Sequence, residues 1–189
     1  KNRDELLTYD HFFNCAGLFS DKIAHMFGVG LNYLLIPFKG IYWELKENTK
    51  FNIPTNVYPV PDIDVPFLGV HFTPSSNGYG PTTIGPTATL AFGRENYKIS
   101  ENIEVQKTLK NISIILKQYM NNKGGFRNYV HDQLPLAIEP FLIRSAQQLI
   151  PKIQLKDIKR SLKVGIRSQL FNTKTNSLED DFLCINAYS

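Results

Sequence analysis

The chain has 189 residues, of which 42% are hydrophobic and 20% charged, a balance typical of a globular protein rather than a disordered tail. The formal net charge is +4 without a basic face or a recognisable module, which argues against nucleic acid as a partner. No apolar run approaches the roughly 20 residues that a membrane-spanning helix needs.

The cysteines, Cys15 and Cys184, are far apart and belong to no CxxC or Cys/His pair. This usage is typical of a reducing compartment, and no metal site is predicted. The sequence begins KNRDELL and ends FLCINAYS, inside an apolar run typical of a strand. We therefore expect a piece of a longer protein.

The first predicted elements are a strand over residues 9–17, YDHFFNCAG, and a helix in LFSDKIAHMFG that ends at Gly28. A strand, a small-residue turn and a helix make half of a βαβ unit, in which a ligand can approach the helix N-terminus. This pattern favours a fragment of a larger α/β domain.

Several short strands are predicted next, because aromatic and β-branched residues recur between turn residues. Frequent prolines place these strands at sheet edges, bulges and turns, as expected for a mostly antiparallel sheet. The segments are LNYLLIPFKG, IYWELK, NVYPVPD, FLGVHFTP and TTIGPTATLAFG.

A long amphipathic helix is predicted over residues 100–122, with Ser100 as N-cap. One or two helices follow, interrupted at Pro135 and Pro140, and residues 161–172 and 178–187 are predicted to form a hairpin. The order of elements indicates an α+β fold. The stripe predicted to pack the long helix against the core is Val105, Leu109, Ile112, Leu116 and Tyr119.

Two residues are the main candidates for chemistry. His71 lies in an apolar strand before a loop rich in Gly and Pro, and it is either a core residue or an acid–base group, because imidazole titrates near neutral pH. Arg167 lies in a strand and needs an anionic partner. That partner is either an internal carboxylate, namely Glu44, Asp180 or Asp181, or a substrate carboxylate held by the guanidinium fork.

Three other side chains could contact a ligand. Tyr42 and Tyr58 could each offer a hydroxyl, although aromatic residues in such strands are usually core. Lys39 begins a strand after Pro37, and its charge predicts that this end of the strand is exposed or faces a ligand. Arg94 is predicted to be a surface or turn residue. The sequence has no phosphate-binding loop, no nucleophile elbow and no G-x-G-x-x-G fingerprint.

A resemblance to a known family is carried by five segments in this order: FNCAGLFSDKIA, IPFKGIYWEL, VYPVPDIDVPFLGVHFT, IGPTATLAFGRENY and VGIRSQL with LEDDF. Together they resemble the L-2-hydroxyglutarate dehydrogenases and oxidases, which belong to the D-amino-acid-oxidase-like group of FAD-dependent oxidoreductases. The resemblance covers nearly the whole chain. It implies three parts: a remnant of the FAD-binding domain at 1–30, a substrate-binding domain at 31–160, and a hairpin at 161–189 returning toward the FAD domain.

The resemblance also implies an activity and roles. A 2-hydroxy acid, first of all L-2-hydroxyglutarate, would be oxidised by hydride transfer to FAD, with His71 as base or hydroxyl orienter. Arg167 would bind the substrate carboxylate, and Tyr58 and Lys39 would line the substrate pocket. Lys39 stands where the family motif suggests Arg, in PFRG. Asn14, Ala16 and Gly17 would contact FAD, which we expect in the complete protein and not in this fragment.

Alternatives remain open. A related flavin enzyme could act on glycerol 3-phosphate or an amino acid, or the fragment could be an inactive scaffold. The electron acceptor and the oligomeric state leave no mark in these residues. The expected compartment is the cytoplasm, at the periphery of the inner membrane in a bacterium, or the mitochondrion in a eukaryote.

Overall fold

The structure is a computed structural model in which the described residues form four helices and six strands. Three short 3₁₀ turns lie before or between them, at Gly17–Phe19, Leu134–Ala137 and Leu155–Asp157. The residues described are 6, 8–50, 52–60, 69–76, 78–98, 100–122, 125–179 and 181–186. In chain order the elements are α1 (Ser20–Met26), β1 (Tyr33–Leu45), β2 (His71–Thr73), β3 (Thr83–Gly85), β4 (Thr89–Leu90), α2 (Val105–Asn121), α3 (Phe126–Gln133), α4 (Glu139–Leu149), β5 (Ile158–Asn172) and β6 (Ser177–Leu178).

One antiparallel sheet organises the molecule. Its strand order is β2-β3-β1-β5-β6, and β4 also pairs with β1. Strand β1 is central and pairs with β5 along nearly its whole length, from Tyr33 opposite Asn172 to Leu45 opposite Ile158. The predicted α+β fold with a mostly antiparallel sheet is confirmed. The division at 1–30, 31–160 and 161–189 stays a prediction.

The two faces of the sheet are covered differently. The larger core packs Trp43, Phe72 and Ile84 against α4, which contributes Leu142 and Ala146. On the other face, a smaller cluster packs α2 against β1 and β5. Its buried members are Ile36, Phe38 and Phe171, joined by Ile114 and Ile115.

Several predicted strands are wrong or shorter than expected. Residues 9–16 form no strand, and residues 181–186 beyond β6 have no regular structure. The hairpin therefore exists but pairs only Phe171 with Leu178 and Asn172 with Ser177. From NVYPVPD the structure describes a single bridge, Val57 to Phe72, and residues 61–68 lie outside the described part of the chain.

Helix α2 is confirmed, but its predicted start and buried face are wrong. Glu104 is the N-cap instead of Ser100, and its side chain binds the ammonium of Lys107 one turn on. The predicted apolar stripe is largely exposed: Val105 and Leu109 each keep 63% of their surface accessible. The face turned to the protein instead carries Ile114 and Ile115 with the buried polar residues Thr108, Asn111 and Gln118. Thr108 and Gln118 donate to backbone carbonyls.

Candidate functional site

A cavity of ≈ 450 Å³ opens on the sheet where β1, β2 and β5 meet the segment after β3. This volume lies in the range of small-molecule sites. Three of the four residues predicted to meet the substrate, namely His71, Lys39 and Arg167, line it. The complete lining is Phe38, Lys39, Gly40, Tyr42, His71, Pro86, Thr87, Ala88, Gly165, Ile166 and Arg167.

Strand register explains why distant residues converge here. His71 lies opposite Gly85 across β2 and β3, and Phe38 lies opposite Arg167 across β1 and β5. Opposed residues of an antiparallel pair share a face, and alternate residues along a strand return to it. Because Phe72 and Ile84 fill the main core, His71 and Gly85 face the other way, toward the cavity.

His71 is held by two contacts. Its Nδ1 lies 3.0 Å from the carbonyl oxygen of Gly69, and the ring of Tyr58 lies 4.6 Å from its ring, centroid to centroid. A carbonyl oxygen only accepts hydrogen bonds, so Nδ1 donates. In the neutral ring, Nε2 therefore carries the lone pair and is the nitrogen able to accept a proton.

Two facing glycines form part of the cavity wall. Gly40 and Gly165 are paired across β1 and β5. A Cβ on Gly40 would lie 2.8 Å from the Cβ of Pro86, so Pro86 packs directly on that glycine. A Cβ on Gly165 would meet no atom within 4 Å, so the wall beside it is flat and open.

The charge of the lining is positive. Among the described lining residues, Lys39 and Arg167 are cationic and none carries a carboxylate. Burial lowers the pKa of Lys39, and its ammonium donates to Oδ1 of the buried Asn96 at 2.9 Å. An anion in the cavity would offset the cost of burying that charge.

Arg167 is an exposed residue at the edge of this lining. Three internal partners were considered from the sequence. The first, Glu44, lies on β1 six residues from the position opposite Arg167, which is about 20 Å in an extended strand. The two side chains cannot meet over that distance. Glu44 instead binds Lys159 at 3.2 Å. Asp180 lies outside the described residues, and Asp181 accepts a hydrogen bond from the N–H of Phe182.

The three residues predicted to contact FAD do not line this cavity. Asn14 donates from its amide to the carbonyl of Ser20 at 2.7 Å and accepts from the N–H of Ala16 at 3.3 Å, which ties the turn before α1 to that helix. Gly17 has φ +52° with open space around the position of a Cβ, so its backbone is approachable from outside. A left-handed backbone of this kind favours glycine.

Arg94 was predicted to be a surface or turn residue; it does lie in a turn, but it is buried rather than on the surface. Its guanidinium is buried and donates to both carboxylate oxygens of Asp21, with Nη2 to Oδ2 at 2.7 Å, and to the carbonyl of Leu18. Burial by itself would raise the pKa of Asp21, but Arg94 and the backbone N–H groups of Leu35 and Lys22 overcome this and hold it below its ordinary value. A second cavity of ≈ 240 Å³ adjoins the pair.

Among the described residues, no group of three or more His, Cys, Asp or Glu side chains is placed to hold a metal ion. Within that same part of the chain, none of the helices has the length and apolar character to cross a membrane.

Comparison with known proteins supplies a family. The family described as FAD dependent oxidoreductase (DAO) matches residues 2–181. An L-2-hydroxyglutarate dehydrogenase of Indibacter alkaliphilus is 37% identical over 179 residues, which cover 91% of this chain and 42% of that protein. The mitochondrial L-2-hydroxyglutarate dehydrogenases of Bos taurus and Homo sapiens are each 33% identical, over 94% of this chain and 37% of theirs.

The chain thus spans 37–42% of the length of these curated relatives. The resemblance inferred from NCAG, PFKG, GVHFT and GIRSQ is confirmed at the level of the family. The roles of single residues stay predictions.

Proposed function

This chain belongs to the family of FAD-dependent oxidoreductases, and from that membership we propose that it is part of an enzyme that oxidises L-2-hydroxyglutarate to 2-oxoglutarate. The observation that carries the proposal is the cavity whose lining includes His71, Lys39 and Arg167 and, among the described residues, no carboxylate. Such a lining suits an anionic hydroxy acid. The relatives named above carry the same activity in their names.

The cavity also fits a planar cofactor. The open wall beside Gly165 and the small side chain of Ala88 leave room for a flat ring. When bound, FAD would accept the hydride from C2 of the substrate. We propose that it belongs to the complete protein, where the approachable backbone of Gly17, with Asn14 and Ala16 fixing its turn, would lie along the cofactor.

The chain's own residues would prepare the substrate for that transfer. His71 Nε2 would accept the proton of the C2 hydroxyl, because the Gly69 carbonyl fixes the proton of the neutral ring on Nδ1. Tyr58 would hold the imidazole plane through its ring contact. Arg167 would bind the C1 carboxylate with two parallel hydrogen bonds, and the Lys39 ammonium, held by Asn96, would add positive charge near the cavity.

The proposed compartment follows from the same relatives. The proteins of cattle and humans are mitochondrial by name, so we propose the mitochondrion for a eukaryotic source. For a bacterial source we propose the cytoplasm, at the periphery of the inner membrane.

The test uses the complete protein. We expect bound flavin whose absorbance bleaches on anaerobic addition of L-2-hydroxyglutarate and not of D-2-hydroxyglutarate, L-lactate or glycerol 3-phosphate. If only glycerol 3-phosphate or an amino acid bleaches the flavin, the family assignment stands and the proposed substrate is wrong. A complete protein without flavin would overturn the enzymatic proposal and leave a scaffold.

A further inference from the structure

Another cation, Lys163, lies on β5 beyond Gly165, on the side away from Arg167. We propose that Lys163 and Tyr42 form the subsite for the distal carboxylate of the substrate and thereby select a dicarboxylate over a monocarboxylic 2-hydroxy acid. The inference rests on the proposed function and deepens it. It assigns Arg167 to the carboxylate beside the hydroxyl and Lys163 to the carboxylate at the far end.

The ladder of β5 and a ring contact place the two cations on one face. Arg167 and Gly165 alternate along the regular part of the strand, and Lys163 lies beyond its last regular pair but against the ring of Tyr42, which lines the same cavity. Arg167 and Lys163 are four residues apart, about 13 Å between Cα atoms in an extended strand. Side chains leaning inward from both ends can therefore meet a ligand lying over the open wall at Gly165.

A break in the strand register adjusts the position of Lys163. Ile41 pairs with Val164, but Trp43 pairs with Arg160, so β5 has extra residues opposite Tyr42. Such a bulge redirects the side chains at the break. The Lys163 ammonium lies 5.0 Å from the centroid of the Tyr42 ring; Tyr42 lines the cavity, and Lys163 stands just outside that lining.

Both groups have unused capacity to donate hydrogen bonds. Within the described ranges, the hydroxyl of Tyr42 has no hydrogen-bond partner and no carboxylate pairs with Lys163. A tyrosine that is half-buried normally finds a partner for its hydroxyl. Burial raises the pKa of Tyr42, so the hydroxyl keeps its proton at neutral pH and is a donor there.

The two ends differ in chemistry. The guanidinium fork of Arg167 fixes the orientation of the carboxylate it binds, as the reacting end requires. The ammonium of Lys163 is a mobile point charge, and it can neutralise a distal carboxylate without fixing its angle. A substrate ending in a methyl group would leave that ammonium and the Tyr42 hydroxyl unmatched.

The experiment compares Lys163→Met in the complete protein with Lys174→Met, which removes the same charge from the exposed turn after β5. We measure kcat/KM for L-2-hydroxyglutarate and for L-2-hydroxyvalerate, which has the same five carbons but no distal carboxylate. We expect Lys163→Met to lower the value for the diacid by about ten- to a hundredfold and to change that for the monoacid less than about twofold. Tyr42→Phe should lower the value for the diacid by about three- to tenfold.

A binding measurement separates recognition from turnover. Calorimetry with glutarate, which lacks the hydroxyl, should show that Lys163→Met loses affinity by about the same factor by which it loses kcat/KM for the diacid. Lys174→Met should lose none. Equal losses for diacid and monoacid, or an unchanged preference for the diacid, would overturn the subsite. If the unaltered protein bleaches only with another compound, the proposed function itself has failed, and the subsite fails with it.

Discussion

Arg94 donates hydrogen bonds from both terminal nitrogens to the two carboxylate oxygens of Asp21, 73 residues earlier in the chain. Asp21 Oδ2 also accepts from the N–H of Leu35 at 3.0 Å. The pair therefore joins three parts of the molecule: helix α1, the central strand β1 and the segment between β4 and α2. It fixes where residues 14–26 lie against the sheet that carries the cavity.

Removing one member of this pair should be costly. We expect Arg94→Met to lower the free energy of unfolding of the complete protein by about 3–5 kcal/mol, because a buried carboxylate would lose its partner. Urea unfolding followed by circular dichroism measures the change. The matched control is Lys98→Met, whose partner Glu101 is largely exposed, and it should leave the unfolding midpoint nearly unchanged. Equal midpoints for both variants would show that the buried pair adds no stability.

The same pair should give an acid-sensitive component of stability. The pKa of Asp21 is lower in the folded chain than its ordinary value of 3.8, so the folded state favours the carboxylate. The contribution of this carboxylate to the free energy of unfolding is complete above about pH 5, where the unfolded carboxyl is also ionised, and it is lost as pH falls through the folded pKa. We expect the stability difference between Asp21→Asn and the unaltered protein to shrink in urea titrations from pH 5 toward pH 2. A difference that grows on acidification would contradict this sign.

The contrast between Arg94 and His71 shows what the sequence could and could not predict. His71 lines the cavity, and the sequence could single it out because it lies in a strand next to a Gly/Pro loop; its role stays a prediction. Arg94 in FGREN carries no local mark, because its burial depends on Asp21, a partner from a distant helix. Local patterns predict strands and turns, but not which distant charges meet.

Periodicity misled in a similar way on α2. The apolar spacing correctly predicted a helix, but Leu109 and Leu116 lie on the exposed side. The side turned to the protein combines Ile114 and Ile115 with polar residues, of which Thr108 donates to the carbonyl of Phe92 and Gln118 to that of Asn176. Hydrogen bonds to distant backbone determine this orientation, and a hydrophobic pattern does not contain them.

The proposed base can be tested directly. We expect His71→Ala in the complete protein to lower turnover of L-2-hydroxyglutarate by roughly 10²–10⁴, the usual effect of losing a general base. Stopped-flow measurement of flavin reduction separates this step from product release. Tyr58→Leu, which removes only the ring packed on the imidazole, should lower the rate less and leave flavin content unchanged. Near-normal reduction in His71→Ala would return His71 to a structural role.

Because of Lys39, the affinity for anions should fall at alkaline pH. Burial lowers its pKa below the ordinary 10.5, so the positive charge is lost as pH rises through that lowered value. Glutarate affinity, measured by calorimetry from pH 7 to 10, should be constant at first and then fall. Tyr42 does not cause this fall, because burial raises its pKa above 10.0. In Lys39→Arg the fall should be absent, since guanidinium stays charged throughout; the same fall in both proteins would assign it to another group.

Arg167 is tested by keeping its charge and changing its shape. Its position opposite Phe38, at the rim of the positive wall, suits a carboxylate bound by two parallel hydrogen bonds. We expect Arg167→Lys to raise the dissociation constant of 2-oxoglutarate by about tenfold, because an ammonium makes a single-point contact where the guanidinium makes two. Arg160→Lys, on the exposed part of the same strand, is the matched control and should bind normally. If Arg167→Lys keeps full affinity while its unfolding midpoint falls, the guanidinium pairs within the protein instead of with the substrate.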